Sequence, residues 1–226
     1  MVTRVYLIRH GETVENAKHI IQGQLDTNLN ETGITQAQAL RDRLQTIPFS
    51  AAFSSDSKRA ADTARVVLQK HEHLVLQTYE ELRERHMGEL QGKPGNAQDL
   101  WKSLLPSVER AETFRARLLA WWHNILVPYV AATESASGHD NADEPQSHVL
   151  VVSHGAAISF LLLALLDLGY ARGPGENYNS SHTRIYNASV SFIDVRADGS
   201  GVLVKVGDVA HLEKKALEQN ADVLNE

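Results

Sequence analysis

The sequence predicts an α/β fold, and three observations carry that prediction. Two apolar runs, residues 5–8 and 149–152, lack the alternation of a half-exposed strand and read as strands buried on both faces. Each is followed at once by a His-Gly pair, His10-Gly11 and His154-Gly155. Between and after them stand stretches with helical spacing, so strands and helices alternate along the chain. In an open α/β sheet ligands bind beyond the carboxyl ends of the strands. Arg9, His10 and His154 are therefore expected at one rim of one sheet.

In chain order, residues 2–9 form the first strand. Residues 11–27 show no clean periodicity and read as a loop carrying Glu12, Asn16, Gln22 and Asp26; a loop that long is more often functional than not. Thr32 reads as the cap of a helix with Ile34, Ala37, Leu40 and Leu44 on one stripe, ended by Pro48. Residues 49–53 form a short strand, Ser54-Ser55-Asp56-Ser57 supply capping groups, and a helix is expected over 58–70. Arg59 falls in its first turn, where the helix dipole disfavours a cation. That unfavourable placement points to function; the plainer alternative is an exposed arginine paired with Asp56 or Asp62. His71-Glu72-His73 reads as a solvated helix end, and 75–77 as a short strand. Segment 80–92 is dense in charge, as a solvated face would be, but its glycine-rich ending, 87–92, argues for a shaped loop. Residues 94–106 read as a linker with one short helix near 99–104.

A long helix begins near Val108, with Phe114, Leu118, Trp121, Trp122, Ile125, Leu126 and Tyr129 on one stripe read as core. Residues 131–147 are small, polar and acidic. They read as a mobile surface loop and not a domain boundary, because a strand resumes at 148–152. The helix 155–168 stops at Gly169, a C-cap glycine. Residues 172–183 read as loop. Strands 190–195 and 202–206 flank Ala197-Asp198-Gly199-Ser200, a hairpin signal. Residues 212–224 are weakly amphipathic and expected to fray.

Composition narrows the function. The 226 residues, 42% hydrophobic and 22% charged, suit one α/β domain, 1–226. A net charge of −6 argues against broad attraction to nucleic acid or anionic lipid. Cysteine is absent, which removes disulfides, thiolate metal sites and a cysteine nucleophile. The N-terminus does not read as a secretory leader, and the longest apolar run, 156–166, is too short to span a bilayer. A cytoplasmic protein without nucleic-acid or membrane partners is the expectation.

Four groups are placed to meet around one anion: Arg9, His10, Arg59 and His154. A phosphate monoester carries roughly −1.5 to −2 at neutral pH, and guanidinium forks match its oxygens. A neutral histidine, held through one ring nitrogen, is able to attack phosphorus with the other. The leaving alkoxide then needs a proton from a carboxylic acid, for which segment 80–89 offers Glu80, Glu81, Glu84 and Glu89 without ranking them.

With these residues assembled, the chain resembles the histidine phosphatase superfamily, the phosphoglycerate mutase-like proteins of branch 1. Arg9-His10-Gly11-Glu12 is similar to the family signature. Gln22-Gly23-x-x-Asp26 with Leu29-Asn30-Glu31-Thr32-Gly33-x-x-Gln36-Ala37 resembles its second block, and Ser54-Ser55-Asp56-x-x-Arg59-Ala60-x-x-Thr63-Ala64 its arginine helix. Leu82-x-Glu84-Arg85-x-x-Gly88-x-Leu90-Gln91-Gly92 resembles the acid loop, and Val152-Ser153-His154-Gly155 the second-histidine block. Asn187-Ala188-Ser189 and Asp208-x-x-His211-Leu212 are weaker matches. The resemblance implies a three-layer α/β/α sandwich with a mostly parallel central sheet. It implies that His10 is the phosphorylated nucleophile, that Arg9, Arg59 and His154 complete a phosphate pocket, and that Glu84 is the proton donor. Asn16, Gln22 and Gly23 match positions that contact phosphate or substrate. No metal and no cofactor are implied; the partners are a small phosphomonoester and inorganic phosphate.

Related mutases carry an Arg-Arg pair after the acid loop to grip a substrate carboxylate. Residues 93–110 hold only isolated cations, Lys93, Lys102 and Arg110. A phosphatase is therefore ranked above a cofactor-dependent mutase, and both above a non-catalytic binding module, which would be expected to lose His10 or Glu84.

Overall fold

The computed structural model describes residues 2–96, 102–136, 145–173 and 184–212. Seven described strands form one sheet in the order β3-β2-β4-β1-β6-β7-β5, with β1 Val2–Arg9, β2 Phe49–Ser55, β3 Leu76–Tyr79, β4 Pro145–Ser153, β5 Ala171–Arg172, β6 Val190–Val195 and β7 Gly201–Asp208. The half holding β3, β2, β4 and β1 is parallel. β6 and β7 continue it antiparallel, and β5 closes the far edge parallel to β7. The sheet is thus mixed, and its parallel half carries both His-Gly endings.

Helices cover both faces. α1 is Val14–Ala17, α2 Glu31–Leu44, α3 Lys58–Leu68, α4 Ala111–Trp121, α5 Val127–Ala136 and α6 Gly155–Asp167. The apolar runs are explained by what they touch. Val5 and Leu7 of β1 and Val149 and Val151 of β4 pack with Phe114, Leu118, Trp121 and Leu161 on one face. Tyr6, Ile8, Leu150 and Val152 pack with Leu40, Leu44, Ala60, Ala64 and Val67 on the other. A strand buried on both sides has no place for alternation. Each fully buried Leu, Ile or Val side chain contributes roughly 1.5–3 kcal/mol, so the central pair is the most strongly held part of the sheet. Register aligns Arg9 with Ser153, and the ladder runs one step further through His10 N donating to Ser153 O at 3.0 Å. The two histidines leave the sheet side by side.

Several expectations change. The loop 11–27 contains α1, capped by a reciprocal box between Thr13 and Asn16. α2 is capped by Asn30, whose side chain accepts from Gly33 N; Thr32 lies inside the helix. Ser54 and Ser55 belong to β2 and do not cap α3; Ser57 occupies the cap position without a side-chain bond. α3 ends at Leu68, and β3 lies over 76–79. His71 is not solvated: it is 3% exposed and edge-on to Phe49, which fills the space under the end of α3.

The long helix starts at Ala111 and passes through a π-helical stretch, Trp122–Leu126, into α5. The predicted mobile loop 131–147 is corrected at both ends. Helix continues to Ala136, where Val130 is buried against the core, and β4 begins at Pro145; 137–144 lie outside the described residues. So do 97–101, 174–183 and 213–226, which hold half of the predicted short helix 99–104, whose described residues 102–104 are helical, and most of the loop 172–183 and of the tail 212–224.

Candidate active site

The site begins where β1 ends. His10 is buried, 2% exposed, and its Nδ1 lies 2.7 Å from Gly11 O. A carbonyl only accepts, so Nδ1 carries the hydrogen. Arg59 Nε donates to His10 Nε2 at 3.2 Å, which requires a lone pair on Nε2. Both contacts select one neutral tautomer, with Nε2 as the electron-rich atom. Burial, then the charges of Arg59 and Arg9, hold the imidazole pKa well below the ordinary histidine value, against the opposing bond to Gly11.

The backbone under His10 is fixed by neighbours. Ala188 N reaches both Arg9 O and His10 O, and Asn187 Nδ2 donates to His10 O at 3.1 Å. Gly11 N donates to Thr63 Oγ1 on α3. Gly11 also meets Gly33 in the first turn of α2: a Cβ on Gly33 would stand 2.1 Å from Glu12 O, and one on Gly11 2.5 Å from Gly33 O. Only glycine on both sides permits this approach.

His154 follows β4. Its ring centroid is 5.1 Å from that of His10. Ser55 Oγ accepts from Ser57 N, and the acceptor that the described residues offer its own hydrogen is His154 Nε2 at 3.0 Å. That assigns the hydrogen of His154 to Nδ1, which is buried with no hydrogen-bond partner among the described residues. Burial, then Arg59, depresses this pKa as well. The second imidazole is a neutral donor beside the first.

Arg59 is 1% exposed. It pairs with neither Asp56 nor Asp62, which hold Arg83 and Arg65. Its fork instead donates to Gly23 O at 2.8 Å and Leu25 O at 2.7 Å. Burial lowers its pKa to about 10, so it stays charged at neutral pH. Arg9 donates to Ile185 O at 2.8 Å and lies over Gly155, where a Cβ would come within 3.3 Å of Arg9 Nε.

The loop supplies amides. Asn16 Oδ1 accepts from Thr13 N and Asn187 Nδ2, each at 3.2 Å, with Thr13 Oγ1 at the same distance. Its Nδ2 end is thereby turned the other way. Gln22 Oε1 accepts from Thr27 Oγ1 at 2.6 Å, which orients that amide likewise. Gly23 has φ +54° and serves through its carbonyl, as an acceptor for Arg59. Asp26 accepts from Lys58 N at 2.7 Å and ties this loop to the start of α3.

Glu80, Glu81 and Glu89 are exposed, whereas Glu84 turns inward. Its carboxylate accepts from Arg85 N at 2.8 Å and from Ala156 N at 3.0 Å in the first turn of α6. Burial raises its pKa; those two N–H bonds and the charges of Arg59 and Arg9 oppose the rise. Although the residue as a whole is only part-buried, its carboxyl lies deep beside the two cations. An acid in this balance is able to give a proton and take one back.

In the sequence Ser55 reads as a cap and, with Thr63, as part of the arginine-helix resemblance, with no role at the site for either, and nothing marks Arg117. Asn187 is only a weak match there. Their shared signal, a polar residue at a strand end or on a helix face turned inward, is visible only once the facing element is known. Among the described residues no group of three or more His, Cys, Asp or Glu is placed to hold a metal ion, and no helix is long and apolar enough to cross a membrane.

Comparison with known proteins gives the family. The chain is 30% identical to a probable phosphatase of Schizosaccharomyces pombe, over 94% of this chain and 96% of the relative. It is 32% identical to a probable phosphoglycerate mutase of Yersinia pestis, over 96% and 98%. Among solved structures, the mycobacterial glucosyl-3-phosphoglycerate phosphatase in complex with inorganic phosphate superposes with a TM-score of 0.69 at 31% identity, covering 93% of this chain and 99% of that one. The model of the histidine phosphatase superfamily (branch 1) matches residues 5–208, and the chain belongs to that family.

Proposed function

We propose that this protein hydrolyses small phosphomonoesters through a phosphohistidine at His10. The observation that carries the reading is the tautomer of His10. Nδ1–H is committed to Gly11 O and Nε2 to the Arg59 guanidinium, so the nitrogen that faces this cation is the nucleophilic one. Nε2 attacks phosphorus in line. The bond from phosphorus to the leaving oxygen breaks as Glu84 delivers its proton to that oxygen. Glu84, now a carboxylate, takes a proton from water; the resulting hydroxyl attacks phosphorus, the P–N bond breaks, and neutral His10 is restored with inorganic phosphate.

Arg9, Arg59, the Nδ1–H of His154 and the amides of Asn16 and Gln22 surround the equatorial oxygens, where developing charge is best stabilised by donors already in place. Gly23 contributes by holding Arg59. Water in place of a sugar acid as the final acceptor is supported by the isolated cations of 93–110, which give a second anionic group no paired anchor.

The test has two arms. His10→Ala is expected to abolish turnover and acid-labile labelling from a phosphodonor; hydrolysis at the parent rate removes His10 from the mechanism. With 3-phosphoglycerate and a bisphosphoglycerate primer, phosphate release should exceed formation of 2-phosphoglycerate. The reverse ratio makes the chain a mutase.

A further inference from the structure

The acid of this site sits on a segment with little regular structure, between single 3-10 turns at Glu80–Leu82 and Gly88–Leu90. Such a segment does not hold a carboxyl in place by itself. Its backbone is held from α4. Arg117 Nη1 donates to Glu81 O at 2.7 Å and Arg83 O at 2.8 Å, and Nη2 to Glu84 O at 2.8 Å. The remaining edge of the guanidinium meets Glu109, Nε to Oε1 at 2.9 Å and Nη2 to Oε2 at 3.1 Å. All five N–H groups of the fork are engaged.

Glu109 grips the same segment from its other end. Its Oε2 accepts from His86 N, its carbonyl accepts from Arg85 Nε, and its own N–H donates to His86 O. The guanidinium lies 4.6 Å over the ring of Phe114, which is fully buried. The two side chains are 19% and 12% exposed. This is no surface ion pair: three of the five bonds go to carbonyls at or just before the acid. A lysine, a point charge with three rotatable donors, cannot reproduce that fork.

We propose that Arg117, aligned by Glu109, is the positioning residue that sets the Glu84 carboxyl against the leaving oxygen of the substrate. The proposal rests on Glu84 being the proton donor. Arg117 touches no reacting atom. In the phosphorylation step, which kcat/KM reads, its loss is felt by substrates that need a proton delivered and not by those whose leaving group departs unaided; the shared dephosphorylation step, in which Glu84 takes a proton from water, is slowed for both.

The experiment measures kcat and KM for the parent, Arg117→Lys, Glu109→Gln, Glu84→Gln and the Arg117→Lys/Glu84→Gln double variant. The substrates are an alkyl phosphate, 2-glycerophosphate, and an activated aryl phosphate, p-nitrophenyl phosphate. For Arg117→Lys, kcat/KM on the alkyl ester is expected to fall about tenfold or more, the scale of a misplaced catalytic group. Its kcat/KM on the aryl ester should change by less than about threefold. In the Glu84→Gln background the lysine substitution should cost nothing further on the alkyl ester.

Equal losses on both esters, or additive losses in the double variant, overturn the proposal while leaving Glu84 as the acid. If Glu84→Gln itself shows no leaving-group bias, the acid assignment fails and the proposal falls with it. Turnover of the aryl ester reports folding in every variant. If it disappears in both Arg117→Lys and Glu109→Gln, the pair is purely structural and the proposal is wrong.

Discussion

Replacing Gly33 with alanine should disable a site that Gly33 never touches. Its Cβ would stand 2.1 Å from Glu12 O, 2.7 Å from Glu12 N and 2.9 Å from Glu12 C, all backbone atoms. Ordinary van der Waals contact for a Cβ begins at 3.4 Å, so one side must retreat by roughly 1 Å or more, against a close-packed interior. α2 cannot retreat freely, because Leu40 and Leu44 anchor it in the core and Asn30 ties its cap to Glu12. The displacement therefore falls on residues 10–12. Overpacking of this kind costs about 3 kcal/mol, which lowers the unfolding midpoint by roughly 6–12 °C in a chain of this size. A shift of about 1 Å at His10 lowers kcat by the order of a hundredfold. Thermal unfolding and turnover of p-nitrophenyl phosphate measure the two effects. Gly169→Ala is the control: φ is +73° there but nothing lies within 4 Å of the added carbon, so stability should drop while kcat holds. Gly33→Ala with parental kcat would refute the argument that this helix end positions the nucleophile.

Two further predictions concern the imidazoles. Ser55→Ala removes the hydroxyl that assigns the hydrogen of His154 to Nδ1; kcat should fall about tenfold, the worth of one hydrogen bond of roughly 1.4 kcal/mol, with KM little changed, and an unchanged kcat defeats the tautomer assignment. Stability should decline on the acid side of neutrality. Burial depresses the pKa of His10 and of His154 well below 6.5, and that of His211 to about 4. Above about pH 6.5 neither folded nor unfolded chain protonates these rings. Below it the unfolded chain binds protons that the folded chain refuses, so stability is lost as pH falls from 6.5 toward the folded values. Unfolding midpoints across pH 7.5 to 5 measure this, and a flat profile would contradict it.

How much of the site was legible beforehand depended on the distance over which each signal acts. His10 and Arg9 are marked by the residues beside them: an apolar run, a cation, an imidazole and a glycine follow one another, and a strand buried on both faces allows little else. Arg59 was marked by a local conflict, a cation in the first turn of a helix, and its burial against Gly23 and Leu25 resolves that conflict. Glu84 was different. Four carboxylates lie within ten residues, and nothing local separates them. Only the approach of Ala156 N and the grip of Arg117 turn one inward.

The misplaced elements follow the same division. Residues 131–136 are small and polar enough to read as loop, yet the helix entering from Val127 continues through them, because Val130 reaches the core. Helix propensity is weak beside such packing. Ser55 looked like a cap because serine near a helix start usually is one; here β2 runs on to Ser55 and its hydroxyl serves His154.

By itself the sequence determined the class of fold, the edge of the sheet where the candidate site lies and the two imidazoles that stand there, since hydrophobic burial is written in residue type and strand endings in their immediate neighbours. The tertiary structure alone decided which carboxyl turns inward, what each imidazole nitrogen faces and which helix end packs against the backbone beside His10. Those are properties of hydrogen bonds between segments far apart in the chain, with directions set by how the layers pack.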